Sequence, residues 1–246
     1  EAAKNNVWAI GTQAAYGTQW AIASARLAQA WAWSTGAGSR VAVLDTGVDA
    51  THPLLVGRLL PGRDFVDGDD DPSEAGSRAD VAYGHGTHVA GIIGARGDNG
   101  IGITGVNWNT QLMFVSVEDA STAEIVTAYG YIIKQKKEWI RSGGKSGANV
   151  VVTNSSFGID GGDCQAEDFP VWNDLFNKLG EVGVLSAVAS PNVGSPDPGW
   201  DVDRQGDVPS GCDSSYIISV TNVESAGHIS YQRKADGSVR KDSSGR

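Results

Sequence analysis

Asp45 and His85 are the residues of this chain whose type and setting could move a proton. Asp45 closes the apolar run Arg40-Val-Ala-Val-Leu-Asp and is followed by the turn formers Thr46 and Gly47. A carboxylate at the end of a buried strand costs desolvation energy unless something accepts its charge. His85 stands in Gly84-His-Gly-Thr-His-Val-Ala-Gly, at the head of a run of small and apolar residues that reads as a helix, with Gly84 and Gly86 leaving its imidazole uncrowded. A histidine that opens a helix at the rim of a sheet can meet a carboxylate from a neighbouring strand end. If the carboxylate holds one ring nitrogen, the other is free to act as a general base. Taken singly, the strand-end aspartate reads as a cap or turn former and the histidine as structural. A metal pair of His85 and His88 with Asp45 as third ligand is disfavoured: no glutamate stands between the histidines to serve as base, and His88, beside Val89 and Ala90, is expected to pack inside.

The elements that must position these residues alternate along the chain. Near-continuous apolar runs at 40–45, 113–119, 149–157, 183–190 and 216–223 read as strands of a parallel sheet covered on both faces. A helix is expected from Ser121, which with Glu124 three residues on forms a capping box, and it ends among Lys134, Lys136, Lys137 and Arg141, where positive charge complements the helix dipole. A second helix is expected to start with Pro170 in its first turn, to carry Val171, Trp172, Leu175, Phe176 and Leu179 on one face, and to stop at Gly180. Strand and helix in repetition predict an α/β fold, a doubly wound, mostly parallel sheet with helices on both faces, whose function collects beyond the carboxyl ends of the strands. Residues 1–39, with Trp8, Trp20, Trp31 and Trp33, are expected to pack across the outside of the domain formed by residues 40–223. The polar stretch 224–246 is expected to be poorly ordered.

Composition narrows the function classes. With 246 residues, 40% hydrophobic and 20% charged, the chain is long enough to bury a full core. Its 29 acidic and 19 basic residues give a formal net charge of −10, which disfavours nucleic acid and anionic lipid as partners. No apolar run approaches the roughly 20 residues that cross a bilayer, so the chain is expected to be soluble, with any export signal outside it. Cys164 and Cys212, 48 positions apart, make no metal or redox motif; a disulfide and two separate small apolar residues both remain open. Gly100 to Gly105 satisfies GxGxxG but follows a helix and leads into a strand, the reverse of the dinucleotide-binding order.

Asp45-Thr-Gly-Val-Asp followed forty positions on by His85-Gly-Thr-His-Val-Ala-Gly closely resembles the aspartate and histidine motifs of the subtilisin-like serine proteases, the subtilases. The resemblance runs from about Gln19 to about Val223. It implies a serine endopeptidase, secreted or extracellular, with Asp45 orienting His85 and with an extended peptide or protein substrate, and its own propeptide, as partners. Ser156-Phe157-Gly158 fits the segment that lines the substrate cleft in that family, where an extended peptide pairs by β-augmentation. Asn192, closing Ser190-Pro191-Asn192, corresponds to the side-chain donor of the oxyanion hole. Pro191 replaces the glycine the family carries there and fixes its own φ near −65°.

The family also requires a Gly-Thr-Ser segment opening a helix, and these 246 residues contain none. Ser225, Ser230, Ser238, Ser243 and Ser244 lack that context. The expectation is a protease domain cut short before its nucleophile; the alternative is a catalytically inactive peptide-binding or scaffold domain that uses the same cleft. The run Asp64-Phe-Val-Asp-Gly-Asp-Asp-Asp-Pro-Ser-Glu fails the EF-hand template, with Pro72 where glycine is required and Arg78 at the bidentate position. Thermitase-like subtilases bind structural Ca2+ at a similar acidic turn, which would make Asp64, Asp67, Asp69 and Asp71 ligands. Asn99, in a loop resembling a second family calcium site, is a further candidate, although Leu54 stands after His52-Pro53 where that site takes an aspartate.

Overall fold

The structure is a computed structural model, and it describes residues 19–74, 82–99, 101–165, 171–192 and 200–223. In chain order the elements are α1 (Trp20–Ser24), α2 (Leu27–Ala30), β1 (Arg40–Asp45), β2 (Leu59–Asp64), α3 (His85–Gly94), β3 (Gln111–Ser116), α4 (Thr122–Arg141), β4 (Val150–Ser155), β5 (Ile159–Asp160), α5 (Val171–Glu181), β6 (Leu185–Ala189), α6 (Val202–Gln205), β7 (Asp207–Val208) and β8 (Ile217–Val220). Six strands form one sheet in the order β2-β3-β1-β4-β6-β8, and every pair in it is parallel. β5 and β7 make a separate antiparallel pair.

Each face of the sheet has its own core. On one side α4 and α5 bury Tyr129, Ile132, Trp172, Phe176 and Leu179 against Leu44, Val115, Val150 and Val188. On the other, α3 lies over β1 and β3, where Ala90 meets Val41, Val43, Leu112 and Phe114. The chain is therefore an α/β doubly wound sheet with helices on both faces. α3 can lie close because its buried positions, Gly86, Ala90, Gly91 and Gly94, are small; a Cβ on Gly94 would come within 3.1 Å of Thr110 and 3.2 Å of Leu112. α4 begins at the N-cap Ser121, and both bonds of the Ser121–Glu124 capping box are present.

Several expectations are corrected. β2 was not foreseen, because Pro61 and Gly62 interrupt its pattern; it forms at the sheet edge, where its register shifts between Leu60 and Arg63. Val171 is exposed, since the buried stripe of α5 runs Trp172, Leu175, Phe176, Leu179 and leaves Val171 off its face. His88 is exposed rather than packed inside, because the buried side of α3 is the Gly86-Ala90-Gly94 stripe. β8, expected to be covered on both faces, is an edge strand with Ile218 and Val220 about half exposed. Of the tryptophans at 20, 31 and 33, Trp31 packs edge-on against Trp108 and donates to the Val106 carbonyl, whereas Trp33 is 92% exposed. Trp8, Arg78, Gly100, Pro170 and the stretch 224–246 lie outside the described residues.

Candidate active site

Parallel pairing decides what meets at the sheet's carboxyl edge. Leu44 is opposite Ser155, and Ser155 is opposite Val188, so the next residues along β1, β4 and β6, namely Asp45, Ser156 and Ala189, come out on one edge of three adjacent strands. Adjacent strands lie about 4.8 Å apart, which places residues from distant parts of the chain within one cleft's width.

His85 reaches this edge from α3. Its Nδ1 is 2.6 Å from Asp45 Oδ1. Asp45 is 4% exposed, while the imidazole is about half exposed. A carboxylate only accepts, so a hydrogen sits on Nδ1, and in the neutral ring Nε2 is the nitrogen that carries the lone pair. Asp45 Oδ1 also accepts from the Thr46 amide at 2.9 Å, which fixes the carboxylate plane.

The two motifs are stitched together by residues that the sequence reading had not assigned a part. The Gly86 amide donates to Thr46 Oγ1 at 3.2 Å, and the Asp49 amide donates to Thr87 Oγ1 at 2.7 Å. Gly86 itself has no room for a side chain: a Cβ there would lie 2.1 Å from the Gly47 carbonyl oxygen and 2.6 Å from Phe114 Cζ. A glycine between two motif residues is the signal that could have exposed this close approach.

Ser156, Phe157 and Gly158 leave β4 for β5. Ser156 Oγ accepts from Asn154 Nδ2 at 3.0 Å, Phe157 packs on the α4–α5 core, and Gly158 is exposed. Asn192 is exposed in the loop that follows β6, whose start is held where the Ser190 amide donates to the Val220 carbonyl. Below the edge, the phenol of Tyr129 lies 2.5 Å from Ser155 Oγ; burial pushes its pKa up, and the bond to Ser155 opposes that shift.

The acidic turn is folded back on itself. Asp64 Oδ1 accepts from the Val66 and Asp67 amides at 2.7 and 2.9 Å, Asp69 Oδ1 from the Asp71 amide, and Asp71 Oδ1 from the Ser73 amide and hydroxyl. Arg63 pairs with Asp70 at 2.7 Å and supplies positive charge to the turn. Asn99 Oδ1 accepts from the Ile101 amide. Among the described residues no group of three or more His, Cys, Asp or Glu side chains converges as metal ligands, the His85-His88-Asp45 set included.

The comparisons with known proteins bear on the family and the fold. A model of the subtilase family matches residues 36–243. This chain belongs to the subtilase family. The subtilase is 45% identical over 92 residues to a thermophilic serine proteinase of Bacillus sp. (strain AK1), covering 36% of this chain and 21% of that protein. To thermitase of Thermoactinomyces vulgaris it is 40% identical over 100 residues, covering 41% and 33%. To the major intracellular serine protease of Bacillus subtilis it is 32% identical over 173 residues, covering 61% and 52%. Among solved structures, one of the proteases from Pseudoalteromonas arctica superposes with TM-score 0.61 at 27% identity, covering 82% of the subtilase and 61% of that chain. The subtilase thus spans from about a fifth to about half the length of these curated relatives.

Proposed function

We propose that this subtilase is a serine endopeptidase whose nucleophile is a serine carried outside these 246 residues. The observation that supports the reading is the 2.6 Å contact between Asp45 and His85 at the carboxyl edge of the sheet. In it, Asp45 holds the imidazole in the tautomer with Nε2 unprotonated and supports the positive charge that develops on the ring. His85 Nε2 takes the proton of the serine hydroxyl as that oxygen attacks the peptide carbonyl, then returns it to the leaving amine. The Asn192 side chain donates to the oxyanion. Ser156 to Gly158 pair with the backbone of an extended peptide or protein substrate, and the protein's own propeptide is a partner of the same cleft. The Cys164–Cys212 disulfide supports an extracellular setting. Ca2+ at the acidic turn belongs to the proposal as a structural ion held by Asp64, Asp67, Asp69 and Asp71; the Oδ1 atoms of Asp64, Asp69 and Asp71 accept turn hydrogen bonds, which leaves their other carboxylate oxygens for the ion.

The competing reading is a peptide-binding domain without catalysis that uses the same cleft. Reading the coding sequence past residue 246 and treating the encoded protein with a fluorophosphonate probe separates the two. Covalent labelling of one serine, lost in His85→Ala, supports the protease. Peptide binding without labelling supports the alternative.

A further inference from the structure

The strand end that leads into Ser156 is held from below by a pair of hydroxyls that the proposed chemistry does not use. Ser155, the last residue of β4, is 1% exposed, and Tyr129, midway along α4, is fully buried. Their hydroxyls lie 2.5 Å apart, and among the described residues Tyr129 is the partner of the Ser155 hydroxyl. Successive residues of a strand point to opposite faces. Ser155 therefore looks toward α4, whereas Asn154 looks the other way, and its Nδ2 donates to Ser156 Oγ at 3.0 Å. Phe157, two residues past Ser155, packs on the same core as Tyr129. Ser156 is thus bracketed by two ties to one body of side chains.

That body is rigid. The Tyr129 ring meets Phe176 and Trp172 of α5 edge-on, with ring centroids 5.4 and 6.4 Å away. A phenol gripped by two aromatic rings cannot follow a moving strand, so the end of β4 is tied to a fixed point. The surrounding core is apolar, with Leu44, Val115, Val150 and Val188. Apolar contacts tolerate small slips, but a directional bond in a dry interior selects one arrangement and leaves a costly unpaired hydroxyl in any other. Burial pushes the phenol's pKa up, the bond to Ser155 opposes that shift, and the hydroxyl keeps its proton at neutral pH.

We infer that Tyr129 is a positioning residue for the substrate: through Ser155 it fixes the height and tilt of Ser156 to Gly158, the backbone on which an extended peptide pairs. The inference rests on the reading of that segment as the substrate strand. Pairing by β-augmentation needs every amide and carbonyl of the ladder at bonding distance together, so a displaced strand end weakens all of its bonds at once. Tyr129 touches no substrate. Its effect falls on binding and not on proton transfer at His85.

Tyr129→Phe, Ser155→Ala and the double variant test this with a fluorescein-labelled peptide chosen from a random library for binding to the wild-type chain. Binding to the 246-residue chain is read by anisotropy, and kcat and KM are measured on the full encoded protein. Each single variant should raise Kd and KM by about 5- to 10-fold while kcat stays within about twofold of wild type. The double variant removes both hydroxyls together, so it should regain most of the Tm lost by either single variant while its affinity stays low. Affinity that returns with Tm overturns the inference, since the bond would then serve stability alone. A fall in kcat at unchanged KM overturns it as well. The double variant leaves neither hydroxyl of the pair behind, so it decides the matter even where a single variant does not fold. A photo-cross-linkable form of the peptide, mapped by mass spectrometry, checks the substrate-strand reading separately. Cross-links at Ser156 to Gly158 with unchanged affinity in all three variants remove only the role of Tyr129; cross-links elsewhere remove the reading and the inference with it.

Discussion

A single hydrogen bond, from His85 Nδ1 to Asp45, orients the imidazole, and under the proposed function it directs the other ring nitrogen as a base. On the proposed function, His85→Ala in the full encoded protein should lower kcat by about 10²–10⁴-fold or more, measured on a fluorogenic peptide. Asp207, buried at the start of β7 with one carboxylate oxygen accepting from Ser210, gives the opposite kind of prediction, one on stability. Its folded pKa is raised, so the native state favours the neutral form: the contribution is fully present below the unfolded carboxylate range near pH 4 and is lost as pH rises through the raised folded value. Asp207→Asn, which keeps an acceptor for Ser210, should show a higher Tm than wild type at pH 7, with the gap closing by about pH 3.5. A scan of Tm against pH for the two proteins checks this, and a gap independent of pH would contradict it. Asp45 and His85 were legible because each sits in a local motif. Asp207 was not, because its meaning depends on an approach to Gly158, 49 positions earlier.

α4 is the longest helix among the described residues, and its start is written in four residues. The Ser121 hydroxyl accepts from the Glu124 amide while the Glu124 carboxylate accepts from the Ser121 amide and hydroxyl. Ser121→Ala should lower Tm by about 2–4 °C at neutral pH. The bonds to Ser121 hold the Glu124 carboxyl below its ordinary value, so its share of the cap is present at neutral pH and lost as pH falls through that lowered value; thermal melts at pH 7 and pH 3 check both. β2 teaches the contrary lesson. Pro and Gly are poor strand formers, and a Cβ on Gly62 would collide with the Phe114 carbonyl oxygen, so the strand exists because it pairs with β3 and not because its residues prefer extension. Local preference cannot report a partner.

At the scale of the molecule, one covalent tie and, among the described residues, one exposed apolar patch stand out. Cys164 and Cys212 join the segment before α5 to the segment after β7. Replacing Cys164 with Ser should cost about 2–4 kcal/mol, read by urea unfolding with and without reductant. On the face of the sheet opposite α4 and α5, paired strands β6 and β8 carry Leu185, Ile218 and Val220, each 43–52% exposed. An apolar patch at a strand edge favours self-association. Ile218→Lys should reduce concentration-dependent light scattering of the 246-residue chain, and unchanged scattering would show that the patch is not the contact.

By itself the sequence determined the alternation of strands and helices, the cap of α4 and most of the buried stripe of α5, because each follows from hydrophobic period or from neighbours within a few residues; the aspartate and histidine motifs were legible through their resemblance to the subtilases. Tertiary structure decided what no short window holds: that β1 lies between β3 and β4, that Gly86 must be bare for α3 to approach the Gly47 turn, that the two cysteines bond, and that one oxygen of Asp207, close to Gly158, finds no donor among the described residues. These are properties of residues distant along the chain and adjacent in space, set by packing and strand register rather than by composition.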